Sequence, residues 1–360
     1  MTWLFLTSGL FLGWALGAND AANLFGTAVG TKMLRFRTAA LVGSVFVVIG
    51  AVAGGHGVTQ TLGRLGAIDA IAGAFMVALA AGLAVVLLLE RTGLPVSITQ
   101  AIVGAILGWN LFNGRPTDVK TLAQLLSSWL LSPLLAGTFA AVLFVGMRAA
   151  IPKLKVHLLE VDALTRAGLL AVGAFAAFSL GMNDIANVMG VFVRVSPFPE
   201  STALGPFRAT SVEMLFLLGG LAIAAGIVTY SERVMLKLGT GLTSLSPLAA
   251  LLVVLSSGTV QFLFGSAALQ SALHARGLPG WPLVPVSATQ AVVGAILGIS
   301  LVRRSGIRVR ELGKIALGWV VAPAVALLIA LLGLYVLRNV FELPVSAAPR
   351  APSVTAPAAR

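Results

Sequence analysis

Two sequence patterns, each present twice and in the same order, constrain this chain more than any other feature. GANDAAN at Gly17–Asn23 returns as GMNDIAN at Gly181–Asn187. PVSITQAIVGAILG at Pro95–Gly108 returns as PVSATQAVVGAILG at Pro285–Gly298, identical at 12 of 14 positions. Apolar low-complexity sequence matches by chance at Val, Ile, Gly and Ala, but not at Pro, Ser, Thr and Gln in register. A fainter echo sets Trp129 and Pro133 against Trp319 and Pro323. An internal repeat on this scale dictates the architecture. Residues 1–150 form a first repeat, 151–165 a linker on the cytoplasmic side, and 166–342 a second repeat. Residues 343–360, rich in Pro and Ala, are expected to be a disordered tail with nothing to pack against.

The medium follows from composition. Hydrophobic residues make up 58% of the chain and charged residues 10%, with a mean hydropathy of +1.00. A soluble domain carries about 25% charged residues, so lipid must cover most of this surface. The net charge of +12 does not point to nucleic acid, because the basic residues lie in short clusters between apolar runs, as in membrane loops. Cysteine is absent, which excludes disulfides and thiol chemistry. His56, His157 and His274 share no ligand spacing. The N-terminal run MTWLFLTSGLFLGWALG has no Lys or Arg and reads as a first, uncleaved membrane helix.

Each half reads as a helix through N-D-x-x-N, a second helix (near 38–55 and 210–230) and a long apolar arm (near 68–89 and 248–270). The P-V-S-x-T-Q segment follows, then a closing helix (near 121–147 and 312–338). Proline cannot continue a helix, and Ser is a good N-cap, so a short new helix starts near Ser97 and near Ser287. Bare backbone at membrane depth persists only against protein or a water-filled cavity, which makes each segment the tip of a re-entrant hairpin. If the arms return to their own side, each half crosses three times. The inner loops then collect 14 of the 24 basic residues, including the Lys32–Arg37, Arg148–Arg166 and Arg303–Lys314 clusters. If the arms cross fully, those three clusters are split. The positive-inside rule favours the first arrangement. The expected fold is an all-α polytopic membrane protein of two inverted-topology repeats, each with a broken helix and a re-entrant helical hairpin.

Within that frame few residues carry chemistry. Asp20 and Asp184 are carboxylates at matched positions inside apolar helices, where charge is costly and marks an ion path. Asn19 and Asn23 flank the first, Asn183 and Asn187 the second, and an i, i+3 pair shares a helix face. Carboxylate and amide oxygens are hard ligands suited to sodium; the alternative role is helix bridging by hydrogen bonds. Ser97, Thr99, Gln100, Ser287, Thr289 and Gln290 stand where helices begin, and a helix N-terminus offers free N–H groups to an anion. The alternative for Ser and Thr is plain capping, which leaves Gln in both copies unexplained. Gly26, Gly30, Gly104 and Gly294 suit close helix packing. Glu90 and Arg91 read as a structural ion pair, and Glu213 as a weak site candidate. An anion channel and an intramembrane aspartyl protease stay open on these residues, although neither Asp sits in a Tyr-Asp or Gly-x-Gly-Asp context.

The four motifs resemble those of the inorganic phosphate transporter (PiT) family, which carries G-x-N-D-x-x-N and a P-V-S-T-T-H-like hairpin in each half. The likeness runs over roughly residues 10–340. It implies symport of inorganic phosphate with sodium or protons by alternating access, an inverted-repeat fold and often a homodimer, with no cofactor beyond the coupling ion. The expected sodium site comprises Asn19, Asp20, Asn23, Asn183, Asp184, Asn187, Gln100 and Gln290. Phosphate is expected at Ser97, Thr99, Gln100, Ser287, Thr289 and Gln290. The family's tip His is Gln here in both copies and its first Thr is Ile98 or Ala288. Gln does not titrate near neutral pH, which favours sodium over protons. Relatives that move sulfate keep a sulfate or other oxyanion symporter, proton-coupled or not, as the alternative. The short segment between halves points to a prokaryotic plasma membrane.

Overall fold

The computed structural model describes residues 2–92, 96–150, 158–204, 207–238, 245–304, 306 and 308–347. Pro95, residues 151–157 of the expected linker (with His157) and residues 348–360 of the expected tail lie outside them. After a 3-10 turn at Thr2–Leu6, the first half contains α1 (Thr7–Gly30), α2 (Phe36–Gly54), α3 (His56–Leu65), α4 (Ile71–Thr92), α5 (Ile98–Phe112) and α6 (Val119–Ala150). The second contains α7 (Leu158–Met189), a 3-10 turn at Gly190–Val195, strands β1 (Ser201–Leu204) and β2 (Phe207–Thr210), α8 (Ser211–Thr229), α9 (Ser231–Leu238), α10 (Pro247–Gly265), α11 (Ala267–His274), α12 (Ala288–Arg303) and α13 (Val309–Asn339). Among the described residues seven helices are long and apolar enough to cross a bilayer. α1 is also long enough, at 24 residues, but the N-D-A-A-N run makes its middle polar.

The first arm does turn back. Asp69, just before α4, forms a 2.7 Å ion pair with Arg115, just after α5. The two ends of the α4–α5 hairpin therefore meet on one face. Phe5 packs edge-on against Phe75 at the start of α4, so the N-terminal turn lies on that face too. The second hairpin, α10 and α12, begins beside the far end of α1, where Leu245 and Ala250 share a crevice with Ala22, Gly26 and Ala28.

The halves are interleaved rather than set side by side. α1 packs on α8, with the Ile223 carbonyl against Gly17 and the Trp14 carbonyl against Gly226. α2 packs on α7 through the repeat-equivalent contacts, Val47 carbonyl against Gly181 and Phe178 carbonyl against Gly50. α5 meets α13 where the Pro323 carbonyl touches Gly104, and α6 meets α12 where the Pro133 carbonyl touches Gly294. A side chain at any of these glycines would displace backbone, so close approach fixes Gly there. Along each pair the register advances in the same sense: Gly50 and Gly54 meet Phe178 and Met182, and Gly104 and Gly108 meet Pro323 and Leu327. These four pairs run parallel, with the Trp–Pro echo at two of the crossings.

Several expectations need correction. α7 starts at Leu158, so residues 158–165 extend that helix instead of forming linker. The second arm breaks at Ser266, which caps α11. Residues 343–347 are not loose: the Val345 carbonyl accepts from Trp109 Nε1 at 2.9 Å and the Ala347 N–H donates to Asp69 Oδ1 at 2.9 Å. A buried indole N–H requires an acceptor, and here the chain end supplies it. Glu90 accepts from the Tyr230 hydroxyl and no Glu90–Arg91 ion pair occurs among the described residues. Glu213 is a helix cap: its Oε2 accepts the Thr210 N–H at 2.7 Å while Thr210 Oγ1 accepts the Glu213 N–H at 3.2 Å, a capping box at the start of α8.

Candidate ion-binding site

The twelve residues singled out in the sequence converge at the centre of the molecule, each at most 5% exposed. The first Asn of each motif clamps the hairpin tip of its own half. Asn19 Nδ2 donates to the Val96 carbonyl at 2.8 Å, and Asn19 Oδ1 accepts the Val96 N–H at 3.0 Å. Asn183 Oδ1 accepts the Val286 N–H at 3.0 Å, but its Nδ2 donates to the Gln261 carbonyl on α10 at 3.4 Å. The unwound backbone before α5 and α12 is thus satisfied in apolar surroundings.

The rest of each motif reaches the tip of the opposite half. Asn23 Nδ2 donates to Asp20 Oδ1 at 2.8 Å and to Thr289 Oγ1 at 3.5 Å, and Thr289 Oγ1 donates to Asp20 Oδ1 at 3.4 Å. Asn187 Nδ2 donates to Asp184 Oδ1 at 2.9 Å and to Thr99 Oγ1 at 3.0 Å, and Thr99 Oγ1 donates to the Val286 carbonyl at 3.5 Å. Ser97 and Ser287 cap their helices, each Oγ accepting from the N–H three residues on, at Gln100 and Gln290, at 3.3 Å. The capping role considered for these serines is therefore present. It leaves the N–H groups of Ile98, Thr99, Ala288 and Thr289 ahead of the first helical bonds.

What remains unpaired defines the chemistry. Asn23 Oδ1, Asn187 Oδ1, Asp184 Oδ2, Gln100 Oε1 and Gln290 Oε1 are buried oxygens with no partner, and Gln261 Oε1 is a sixth. The amides of Asn23 and Asn187 are oriented by their donation to Asp20 and Asp184, which fixes the oxygen as the free end. Buried polar atoms normally find partners. A cluster of orphan oxygen acceptors is the complement of a hard cation. The residues present therefore fit sodium, while the uncapped N–H groups of α5 and α12 fit an anion beside it.

Sequence reading missed Gln261 and the neighbouring Ser256, also buried with its hydroxyl unpaired. The signal was in plain view: VVLSSGTVQFLF interrupts an apolar arm with four polar residues. No repeat partner drew attention to it.

The N-D-x-x-N motifs lie within continuous helices, α1 and α7, rather than at helix breaks. A helical membrane core whose polar centre is built from these two helices and two hairpin tips defines a membrane transport protein. The sequence matches the phosphate transporter family over residues 16–330 and, in a second match, over 281–356; the chain belongs to that family. It is 30% identical over 325 residues to a "Putative phosphate permease" of Methanocaldococcus jannaschii, covering 90% of this chain and 94% of the relative. A "Sodium-dependent phosphate transporter" of Plasmodium falciparum is 35% identical over 176 residues, 43% of this chain and 25% of that protein. Among solved structures, "The sodium-dependent phosphate transporter" shares the fold with a TM-score of 0.72, at 22% identity and over 94% of this chain and 98% of the other. Membership of this family sets aside the intramembrane protease.

Proposed function

We propose that this protein imports inorganic phosphate with sodium by alternating access between two inverted repeats. The observation that carries the reading is the set of partnerless buried oxygens on Asn23, Gln100, Asp184, Asn187 and Gln290. Sodium binds there with Asp20 and Gln261 close by. It lends positive charge to a centre that has no Arg or Lys of its own. Phosphate binds at the first turns of α5 and α12, using backbone N–H groups, the hydroxyls of Ser97, Thr99, Ser287 and Thr289, and the amides of Gln100 and Gln290. Sodium-dependent relatives support the choice of ion.

Inverted topology is supported by the parallel pairs. α1 and α2 are joined by a short turn and lie back to back, with Phe25 against Gly43. α1 runs parallel to α8, so α2 and its repeat equivalent α8 point in opposite directions. On the face at the C-terminal end of α1, a crevice bounded by Asn23, Leu169, Val253 and Ile296 holds only about 20 Å³, room for about one water. Closure on one face is what single-sided access requires. The exposed apolar faces of α6 and α13 sit in a prokaryotic plasma membrane, and part of that surface joins a second copy in a homodimer.

Proteoliposomes with sodium high outside should accumulate phosphate against its gradient. Removing sodium should lower the initial rate at least tenfold, and excess sulfate should compete weakly. Uptake that ignores sodium and pH would establish a channel instead, and full competition by sulfate would reassign the cargo.

A further inference from the structure

Away from the central site, a cavity of about 390 Å³ opens on the face that carries the mouth of the first hairpin. It is lined by His56, Thr59, Gln60 and Arg64 from α3 and by Gly190 and Arg194 from the 3-10 turn after α7. Its volume is that of about a dozen waters, enough for a partly hydrated oxyanion. Arg64 and Arg194 form no ion pair among the described residues. The nearest carboxylates in sequence are Asp69, paired with Arg115, and the exposed Glu200; Glu213 caps α8. His56 rests edge-on against Phe216, 5.2 Å between ring centres, so its ring is held at the rim. Gly190 lies three residues past Asn187 on the same chain segment, about one helical turn from the central oxygens. Its surroundings leave it open: the nearest atom to an added Cβ is Thr59 Cγ2 at 3.7 Å.

An arginine at a membrane edge commonly serves lipid headgroups, and one such residue carries no argument. Here two guanidinium groups from different halves of the chain face one concavity together with an amide. Both belong to the side opposite the inner loops that collect 14 of the 24 basic residues, where the positive-inside rule gives no reason for them. Guanidinium pairs with neighbouring amide donors recognise tetrahedral oxyanions through charge-assisted hydrogen bonds. Charge in a cleft raises the local concentration of counter-ions and the on-rate, with steep dependence on ionic strength.

We propose that Arg64, Arg194 and Gln60 form a second, peripheral anion site that captures a phosphate group at the entrance and delivers it to the central site. This rests on the phosphate-carrier reading, and it adds a site outside the repeat motifs. The central site contains no basic side chain, so the fixed positive charge that concentrates the anion is placed one step earlier, at the mouth.

The test uses the full-length protein reconstituted in phosphatidylcholine vesicles and, separately, in vesicles containing phosphatidylglycerol. Arg64→Gln, Arg194→Gln and the double substitution should raise the phosphate KM about fivefold, threefold and tenfold or more at low ionic strength. kcat and the sodium KM should stay unchanged, and the salt dependence of wild-type uptake should flatten. In parallel, 31P line broadening of inorganic phosphate should persist with sodium-free Asp184→Asn protein and vanish when both arginines are also replaced. Wild-type KM and salt dependence in the double variant would overturn the proposal. An effect confined to phosphatidylglycerol vesicles would assign the cavity to a lipid phosphate and overturn capture of the free ion. Should the wild type move no phosphate in either vesicle, the carrier reading fails, and the line-broadening arm alone decides whether the cavity binds the anion.

Discussion

Asp20 and Asp184 hold the same place in two nearly matched motifs, and the surroundings treat them differently. Asp20 Oδ1 accepts from Asn19 at 3.0 Å, Asn23 at 2.8 Å and Thr289 at 3.4 Å. Asp184 Oδ1 accepts from Asn187 alone, at 2.9 Å, and its Oδ2 has no partner. The difference traces to one helix. α10 lends the carbonyl of Gln261 to Asn183 Nδ2, which leaves the Val286 carbonyl untaken. Thr99 donates to that carbonyl and so does not reach Asp184. In the first half Asn19 already occupies the Val96 carbonyl, and Thr289 turns to Asp20. A duplicated sequence thus yields one carboxylate with three protein donors on a single oxygen and one with a single donor and a partnerless second oxygen that calls for an external cation.

The largest effect should appear where the cation is most needed. Replacing Asp184 by Asn removes the charge facing the orphan oxygens, and a charged contact in a dry site is worth about 3 kcal/mol or more, on the order of a 100-fold change. Asp184→Asn should abolish sodium-driven phosphate uptake and the stabilisation of the purified protein by sodium. Asp20→Asn should lower uptake by about tenfold while sodium still raises the melting temperature, because neutral Asn oxygen keeps most of the bonds already present. Equal loss of sodium stabilisation in both variants would dissolve the distinction between the half-sites.

The two clamping asparagines provide a second, smaller contrast. Asn19 gives up three hydrogen bonds on conversion to Ala, two to Val96 and one to Asp20. At about 1 kcal/mol each, Asn19→Ala should cost about 2–3 kcal/mol. Asn183→Ala loses one good bond to Val286 and one long bond to Gln261, and should cost about 1–2 kcal/mol. Denaturant melts in sodium-free detergent separate them. A larger loss at Asn183 would mean that the second tip, not the first, depends more on its clamp.

Most of the centre was legible because its chemistry is written in runs of a few residues and then repeated. The positions of Asn19, Asp20 and Val96 need no tertiary information beyond the hairpin, and the Asp69–Arg115 pair bears out the turned-back arm. What escaped depends on partners distant in sequence. Gly50 and Gly226 look like ordinary membrane glycines until the Phe178 and Trp14 carbonyls are seen against them. That interleaving of halves has no local signature. Residues 343–347 carry the composition of a tail, and only the buried Trp109 N–H, 236 positions away, explains why they dock. The peripheral arginines drew no notice because charge counting assigns them to a loop and stops there.

The smallest expected effect tests the cause of the asymmetry itself. Gln261 contributes twice: its backbone carbonyl draws Asn183 away from the tip, and its side-chain Oε1 is one of the six partnerless oxygens. Substitution by Leu removes the second contribution and keeps the first, since every residue has a carbonyl. If Oε1 helps to hold sodium, Gln261→Leu should raise the sodium KM about three- to tenfold, the range of about 0.7–1.4 kcal/mol. The phosphate KM at saturating sodium should stay near wild type, and the protein should be no less stable without sodium, because a buried orphan acceptor is exchanged for an apolar group. α4 has no polar side chain between Ile71 and Leu89, so the first arm offers no such ligand. An unchanged sodium KM in Gln261→Leu would leave α10 with its backbone role alone, and the second half-site would then owe its openness to Asp184, Asn187 and the hairpin tips.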